Sequence, residues 1–285
     1  MDLIANLEKR SRIVREIRAR FDADGFVEVT TPVRIAAPAP EPHIDCPTVV
    51  RGGEVSYLRA SPELQMKKLL AAGMDRIYQI GPCFREGEFG ARHNSEFTMI
   101  EWYRRNADYR DIYRDMKGLL TRLLSRFSSR TDTAFRELKV RDAYRRVAGW
   151  DPWTDWDQDR FDYDMATKIE PSLGAGLVSL WDYPPQASSL AVVRDGVAER
   201  WELYLDGIEL ANCFTELCDE GEQRRRFVAA REERKTLGES DYPIDEEFLS
   251  LVPLMKSASG VALGVDRLIA ALLGETDIHA AMIGD

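Results

Sequence analysis

Residues 84–104 read FREGEFGARHNSEFTMIEWYR, and the pattern is strand, loop, strand. Arg85 leads the loop; Arg92, His93 and Asn94 close it. Guanidinium groups pair bidentately with phosphate oxygens, so a loop with two arginines between antiparallel strands can clamp an anion. On the second strand a period of two sets Phe97, Met99, Glu101 and Tyr103 on one face. A carboxylate and a phenol at the end of that face can meet a cationic substrate. Taken alone, arginines in a loop are more often plain surface charge.

Three further stretches add to it. In AERWELYLDGIELANCFTEL, residues 198–217, Asp206-Gly207 between alternating runs predicts a type I′ hairpin. Regular pairing then sets Leu205 against Ile208 and places Glu202, Tyr204, Glu209 and Ala211 on one face. Two carboxylates on one sheet face repel unless a cation lies between them, and Mg²⁺ takes such oxygens. An exposed face with hydrated acids is the competing reading. Asn212 and Glu216 lie beyond the clean alternation, so period alone leaves their direction open. In GVALGVDRL, residues 260–268, two glycines within a strand imply close approach of backbone to a ligand or neighbour. Arg267 in the first turn of the following helix opposes the helix dipole, which favours an anion contact over a helix-stabilising role. Ser61-Pro62-Glu63 reads as a helix start, with Ser at the N-cap and Pro at N1.

The rest of the chain predicts an amphipathic helix over 6–22 carrying Leu7, Val14, Ile17 and Phe21, and a short strand over 26–29. Pro38, Pro40, Pro42 and Pro47 make 36–47 an extended loop. A helix is expected over 61–72, strands over 76–80 and 96–104 with a loop between them, and a helix over 109–127. Residues 128–180, with Trp150, Trp153 and Trp156, suggest a helical insertion with a small core of its own. Strands over 188–193 and 198–214, a charged helix over 219–236 and a strand–turn–helix over 260–273 complete the order. Hairpins flanked by helices argue for an antiparallel α/β (α+β type) domain.

At 285 residues the chain suits one large domain with an insertion. No apolar run reaches the roughly 20 residues of a membrane span, and no apolar signal-peptide core is visible, so a cytoplasmic protein is expected. Cys46, Cys83, Cys213 and Cys218 lack paired spacing, so neither zinc site nor disulfide is expected. A net charge of −10 lowers the expectation of nucleic acid as main partner.

Together these segments resemble the class II aminoacyl-tRNA synthetases, and within them the lysyl branch. Thr31-Pro32 looks like the motif 1 proline of the dimer interface, 84–104 like motif 2, and 260–268 like motif 3. RHNSEFTMIEWY and GIELANCFTEL carry lysine-group detail. The resemblance covers the chain from Asn6 onward and implies a class II catalytic domain over 1–285, an insertion at about 128–180 and no anticodon-binding domain. It implies ATP and Mg²⁺. Arg85 and Arg267 would be catalytic, holding phosphates; His93, Asn94, Leu210 and Gly264 would line the ATP pocket, with Glu86 or Glu88 on adenine. Glu202 and Glu209 would hold Mg²⁺. Ser61, Glu63, Glu101, Tyr103, Asn212, Glu216 and Ala262 would surround the amino acid, Glu216 pairing its side-chain ammonium. A short, acidic chain of this type is similar to the elongation factor P–(R)-β-lysine ligases, which transfer β-lysine to a lysine ε-amine of elongation factor P. Ala262 matches the alanine of that family where lysyl-tRNA synthetases have glycine. The implied partners are elongation factor P, (R)-β-lysine or lysine, and a second copy of the chain; tRNA and membrane are not expected. Phe84-Arg85-Glu86-Gly87-Glu88 departs from the usual F-R-N-E, and Cys213 replaces a usual glycine. Adenylate chemistry with another acceptor, and a non-catalytic regulatory paralogue, are the competing readings.

Overall fold

The computed structural model describes residues 3–283. Helix α1 (Leu3–Ala23) turns its buried Ile13, Ile17 and Phe21 inward. There follow β1 (Val27–Glu28), β2 (Arg34–Ile35), β3 (Thr48–Arg51), β4 (Glu54–Leu58), α2 (Glu63–Ala71), β5 (Arg76–Phe84), β6 (Glu96–Arg105) and α3 (Tyr109–Phe127). Next come β7 (Phe135–Lys139), α4 (Val140–Ala143), α5 (Gln158–Asp164), α6 (Glu170–Ser172) and β8 (Leu177–Tyr183). The chain continues through β9 (Val193–Arg194), β10 (Val197–Leu205), β11 (Ile208–Thr215), α7 (Glu220–Leu237), α8 (Glu246–Leu251), β12 (Ala258–Gly264) and α9 (Val265–Leu273).

One nine-stranded sheet runs β1-β5-β6-β12-β11-β10-β8-β7, with β9 beside β10; β2-β4-β3 form a small second sheet. The expected antiparallel α/β domain is therefore present, with parallel pairs only at the edges, β1 with β5 and β7 with β8. α1, α3 and α9 cover one face, burying Ile112, Met116, Leu119, Leu120 and Leu123 of α3 against strand residues such as Trp102, Trp201 and Val261. The stripe read at 109–127 is that face.

Three expectations need correction. Strand β5 runs on to Phe84 instead of stopping at 80. β1 pairs it only at Ile77 and Tyr78, so Pro82 sits on a free edge that needs no donor. Residues 188–193 do not form a continuous strand: Ser189 takes a left-handed φ of 48°, Ala191 makes an isolated bridge to Glu216, and strand pairing starts only at Val193, which pairs with Ala198. Residues 128–180 are not a purely helical insertion, because β7 and β8 extend the main sheet. Their second core, around Tyr144, Trp150 and Phe161, is shared with Val178, Leu180 and Tyr183 of β8. β8 is apolar on both faces, which hid its period of two.

Candidate active site

The hairpin β10–β11 turns at Asp206 and Gly207 with φ of 53° and 74°, the positive values a type I′ turn requires. Tyr204 pairs with Glu209 as expected, but a bulge then shifts the register, so Leu203 pairs with Ala211 and Glu202 with Asn212. This corrects the regular-hairpin reading. Ala211 packs its side chain in the apolar core, and Asn212 takes the place beside Glu202. A bulge inserts one extra residue and flips everything beyond it to the other face.

The sheet then aligns its polar residues across strands. Glu101 of β6 pairs with Ala262 of β12, Ala262 with Asn212 of β11, and Asn212 with Glu202 of β10. Two residues along the same strands, Gly260 lies against Tyr103, where a Cβ would fall 2.1 Å from the phenol ring. The glycine thus admits a neighbour's ring, not a ligand. These residues floor a cavity of about 370 Å³.

At one end of the cavity stand the groups suited to phosphate. Arg85 stacks over Phe97 at 5.2 Å and reaches Glu88 at 3.3 Å, while its Nε is buried without a hydrogen-bond partner. Arg267 donates to the carbonyls of Glu209 at 3.0 Å and Arg92 at 3.1 Å, and to Nε2 of His93 at 2.6 Å. A guanidinium has only donors, so His93 accepts on Nε2 and is neutral. Burial and the Arg267 charge lower its pKa. Asp266 anchors this end from below, held by Arg10 at 2.6 Å and the Thr98 amide at 2.6 Å.

The other end is acidic. Glu101 accepts from Ser61 Oγ at 2.5 Å and Tyr103 OH at 2.7 Å. Burial, then the Glu63 charge, raises its pKa to about 7. The Ser61 hydroxyl oxygen also accepts the Glu63 amide at 3.0 Å, although the helix proper starts at Glu63 behind Pro62. Lys67, one turn along α2, donates to Glu63 at 2.5 Å and forms an ion pair with Glu216. Burial works to lower the Lys67 pKa, but the charges of Glu216 and Glu63 outweigh it, so the ammonium stays charged. Glu216 is raised to about 8, by burial first and the Glu63 charge against the pull of Lys67. Three carboxylates and one internal ammonium leave up to two negative charges, a match for the two ammonium groups of a lysine-type diamine.

Glu209 is raised to about 7 by burial and by the charge of Glu202. Glu202 accepts from the hydroxyls of Tyr183 and Tyr204, each at 2.5 Å, and pairs with Arg200. Among the described residues no group of three or more His, Cys, Asp or Glu is placed to hold a metal. The donor set fits a Mg²⁺ that arrives with phosphate and keeps waters, with Glu209 as the open carboxylate and Glu202 already engaged by Arg200.

Every site residue expected from the sequence lines this cavity except Glu86, which is exposed outside it; Glu88 is the one inside. Leu210 borders the cavity with its side chain in the core. Sequence reasoning missed Lys67, Arg200, Tyr183 and Glu41. Lys67 carried a signal in its i,i+4 spacing from Glu63, and Arg200 in its i,i+2 spacing from Glu202 along one strand. The four cysteines are free, and no described helix is long and apolar enough to cross a membrane.

The family model described as tRNA synthetases class II (D, K and N) matches residues 2–283. A Proteus mirabilis protein named elongation factor P–(R)-beta-lysine ligase is 37% identical over 95% of this chain and 92% of its own length. Proteins of the same name from Yersinia enterocolitica (36%, covering 99% and 96%) and Edwardsiella ictaluri (38%, covering 93% and 90%) are similar throughout.

Proposed function

The chain belongs to the class II tRNA synthetases (D, K and N), and on that premise we propose that it activates (R)-β-lysine with ATP and joins it to elongation factor P. It is an ATP-dependent ligase. The observation that carries the substrate reading is one cavity with arginines at one end and the Glu63–Lys67–Glu216 and Glu101 groups at the other. The relatives' printed names support β-lysine and elongation factor P.

The acidic end receives the two ammonium groups, which leaves the substrate carboxylate facing the arginines. That carboxylate attacks the α-phosphorus of ATP in line, and pyrophosphate leaves. Arg85 and Arg267 hold the phosphate oxygens as charge spreads over them, and positioning plus fixed charge suffices for this step. No general base is needed, because the nucleophile is already ionised. Glu209, with Glu202 behind it, would hold Mg²⁺, which supplies a further positive charge to the phosphates. Glu88, which lines the cavity while Glu86 does not, would be the carboxylate that meets adenine. The proposal includes a cytoplasmic homodimer with Thr31-Pro32 near its interface, checked by light scattering. A net charge of −10 supports a protein acceptor over tRNA.

ATP–pyrophosphate exchange with (R)-β-lysine and α-lysine side by side tests the reading. Exchange is expected to favour (R)-β-lysine. A preference for α-lysine would keep the enzyme class and reopen the acceptor; exchange with neither would favour a non-catalytic regulatory role.

A further inference from the structure

We propose that Glu41 is the general base of the transfer step, accepting a proton from the acceptor lysine's ε-ammonium; this rests on the ligase reading above. A lysine amine has a pKa of about 10.4, so at neutral pH it is an ammonium without a lone pair. Activation needs no base, but attack by this acceptor does.

The cavity geometry indicates where the proton goes. The inner cavity shares Glu41, Ser189, Arg200, Glu202 and Glu209 with a second one of about 810 Å³, bounded by the proline-rich loop, residues 158–170 and α7. An acceptor side chain entering from outside passes the shared boundary, and Glu41 stands on it, lining both spaces. Its carboxylate forms no hydrogen bond or ion pair among the described residues. Of the other carboxylates of the inner cavity, Glu63 and Glu216 are committed to Lys67, Glu88 to Arg85, Glu101 to Ser61 and Tyr103, Glu202 to Arg200, and Asp266 to Arg10, while Glu209, 3.8 Å from Arg267, is the open group assigned above to Mg²⁺.

The loop holding Glu41 is fixed from beneath. Fully buried Arg234 of α7 donates to the carbonyls of Glu41 at 2.6 Å and Ile44 at 2.9 Å, and pairs with Asp45. The charges facing the Glu41 carboxylate are Glu63, Arg85, Arg200 and Lys67. Burial and the Glu63 charge raise its pKa, which makes it a stronger base toward an ammonium.

In the step, one ammonium proton moves to Glu41 and the freed lone pair attacks the acyl carbon of the aminoacyl adenylate. A C–N bond forms, the C–O bond to the α-phosphate breaks, and AMP leaves with that electron pair. The second nitrogen proton passes to water as the amide forms.

Glu41→Gln and Glu41→Asp, made in the full chain, test this through three rates. These are ATP–pyrophosphate exchange with (R)-β-lysine, single-turnover transfer to elongation factor P, and adenylate trapping by hydroxylamine, a nucleophile already unprotonated at neutral pH. In Glu41→Gln, transfer should fall by about 10²–10⁴ relative to exchange, while trapping falls far less. Glu41→Asp should recover part of the transfer rate. The wild-type transfer rate should level off above the Glu41 pKa, whereas the Gln variant's should keep climbing as the free amine appears. An equal fall in all three rates would place Glu41 in amino-acid binding and overturn the proposal, as would unchanged transfer. A wild-type enzyme that exchanges but never acylates elongation factor P would remove the acceptor reading, and the proposal with it.

Discussion

Lys67 is 2% exposed and holds its charge between Glu63 and Glu216. Removing one partner of a buried ionic group leaves uncompensated charge, which costs about 3–5 kcal/mol. Lys67→Met should therefore lower stability by about that amount in urea titration, and adding Glu216→Gln should restore part of it. A loss in Lys67→Met below about 1 kcal/mol would mean the pair is hydrated in solution. Glu209 gives a second prediction. A carboxylate binds Mg²⁺ only when ionised, and burial beside Glu202 raises Glu209 to about 7. Affinity for Mg·ATP should thus rise with pH through about 7, and calorimetry of Glu209→Gln should show weaker binding without that rise. A flat wild-type profile would remove Glu209 as metal ligand.

At the scale of elements, two local devices set the site. The bulge after Tyr204 turns Asn212 toward Glu202 and Ala262. Helix α7 reads from sequence as a charged helix, yet its Arg234 lies fully buried beneath the proline-rich loop, over the Tyr242 ring at 4.2 Å. Arg234→Leu strips the part-buried carbonyls of Glu41 and Ile44 of this donor and leaves the Asp45 carboxylate with the Tyr242 hydroxyl but without the guanidinium. Stability should fall by about 3 kcal/mol or more. Limited proteolysis should cut first within residues 36–47 in the variant, and unchanged cleavage sites would show that the loop holds itself.

At the scale of the molecule, the site's raised carboxylates set the pH response of the unliganded fold. The buried Glu101, near 7, and Glu216, near 8, keep protons that the unfolded chain releases near 4.5. Their contribution is complete below that lower value and is lost as pH rises through the folded values. The urea midpoint should therefore fall between about pH 5 and about pH 8, and a saturating diamine substrate should reduce that fall by supplying cations. A midpoint that rises across this window would contradict the burial of these acids.

The sequence by itself pointed to most of the residues that line the cavity, though not to Lys67, Arg200 or Glu41, and to most of the elements that carry them. The alternation of β6, the Asp206-Gly207 turn and the apolar stripe of α3 are local patterns, written in neighbouring residues and fixed by backbone geometry. Only the tertiary structure decided the register of β11, the two-sided burial of β8 and the company each acid keeps. A bulge is one extra residue with no compositional mark, and a strand buried on both faces has no polar side to betray its period. Lys67 meets Glu216, Arg10 meets Asp266 and Arg234 meets Asp45 across long separations in sequence. The charge of a buried carboxylate depends on such partners and on lost water, and neither exists until the chain has folded.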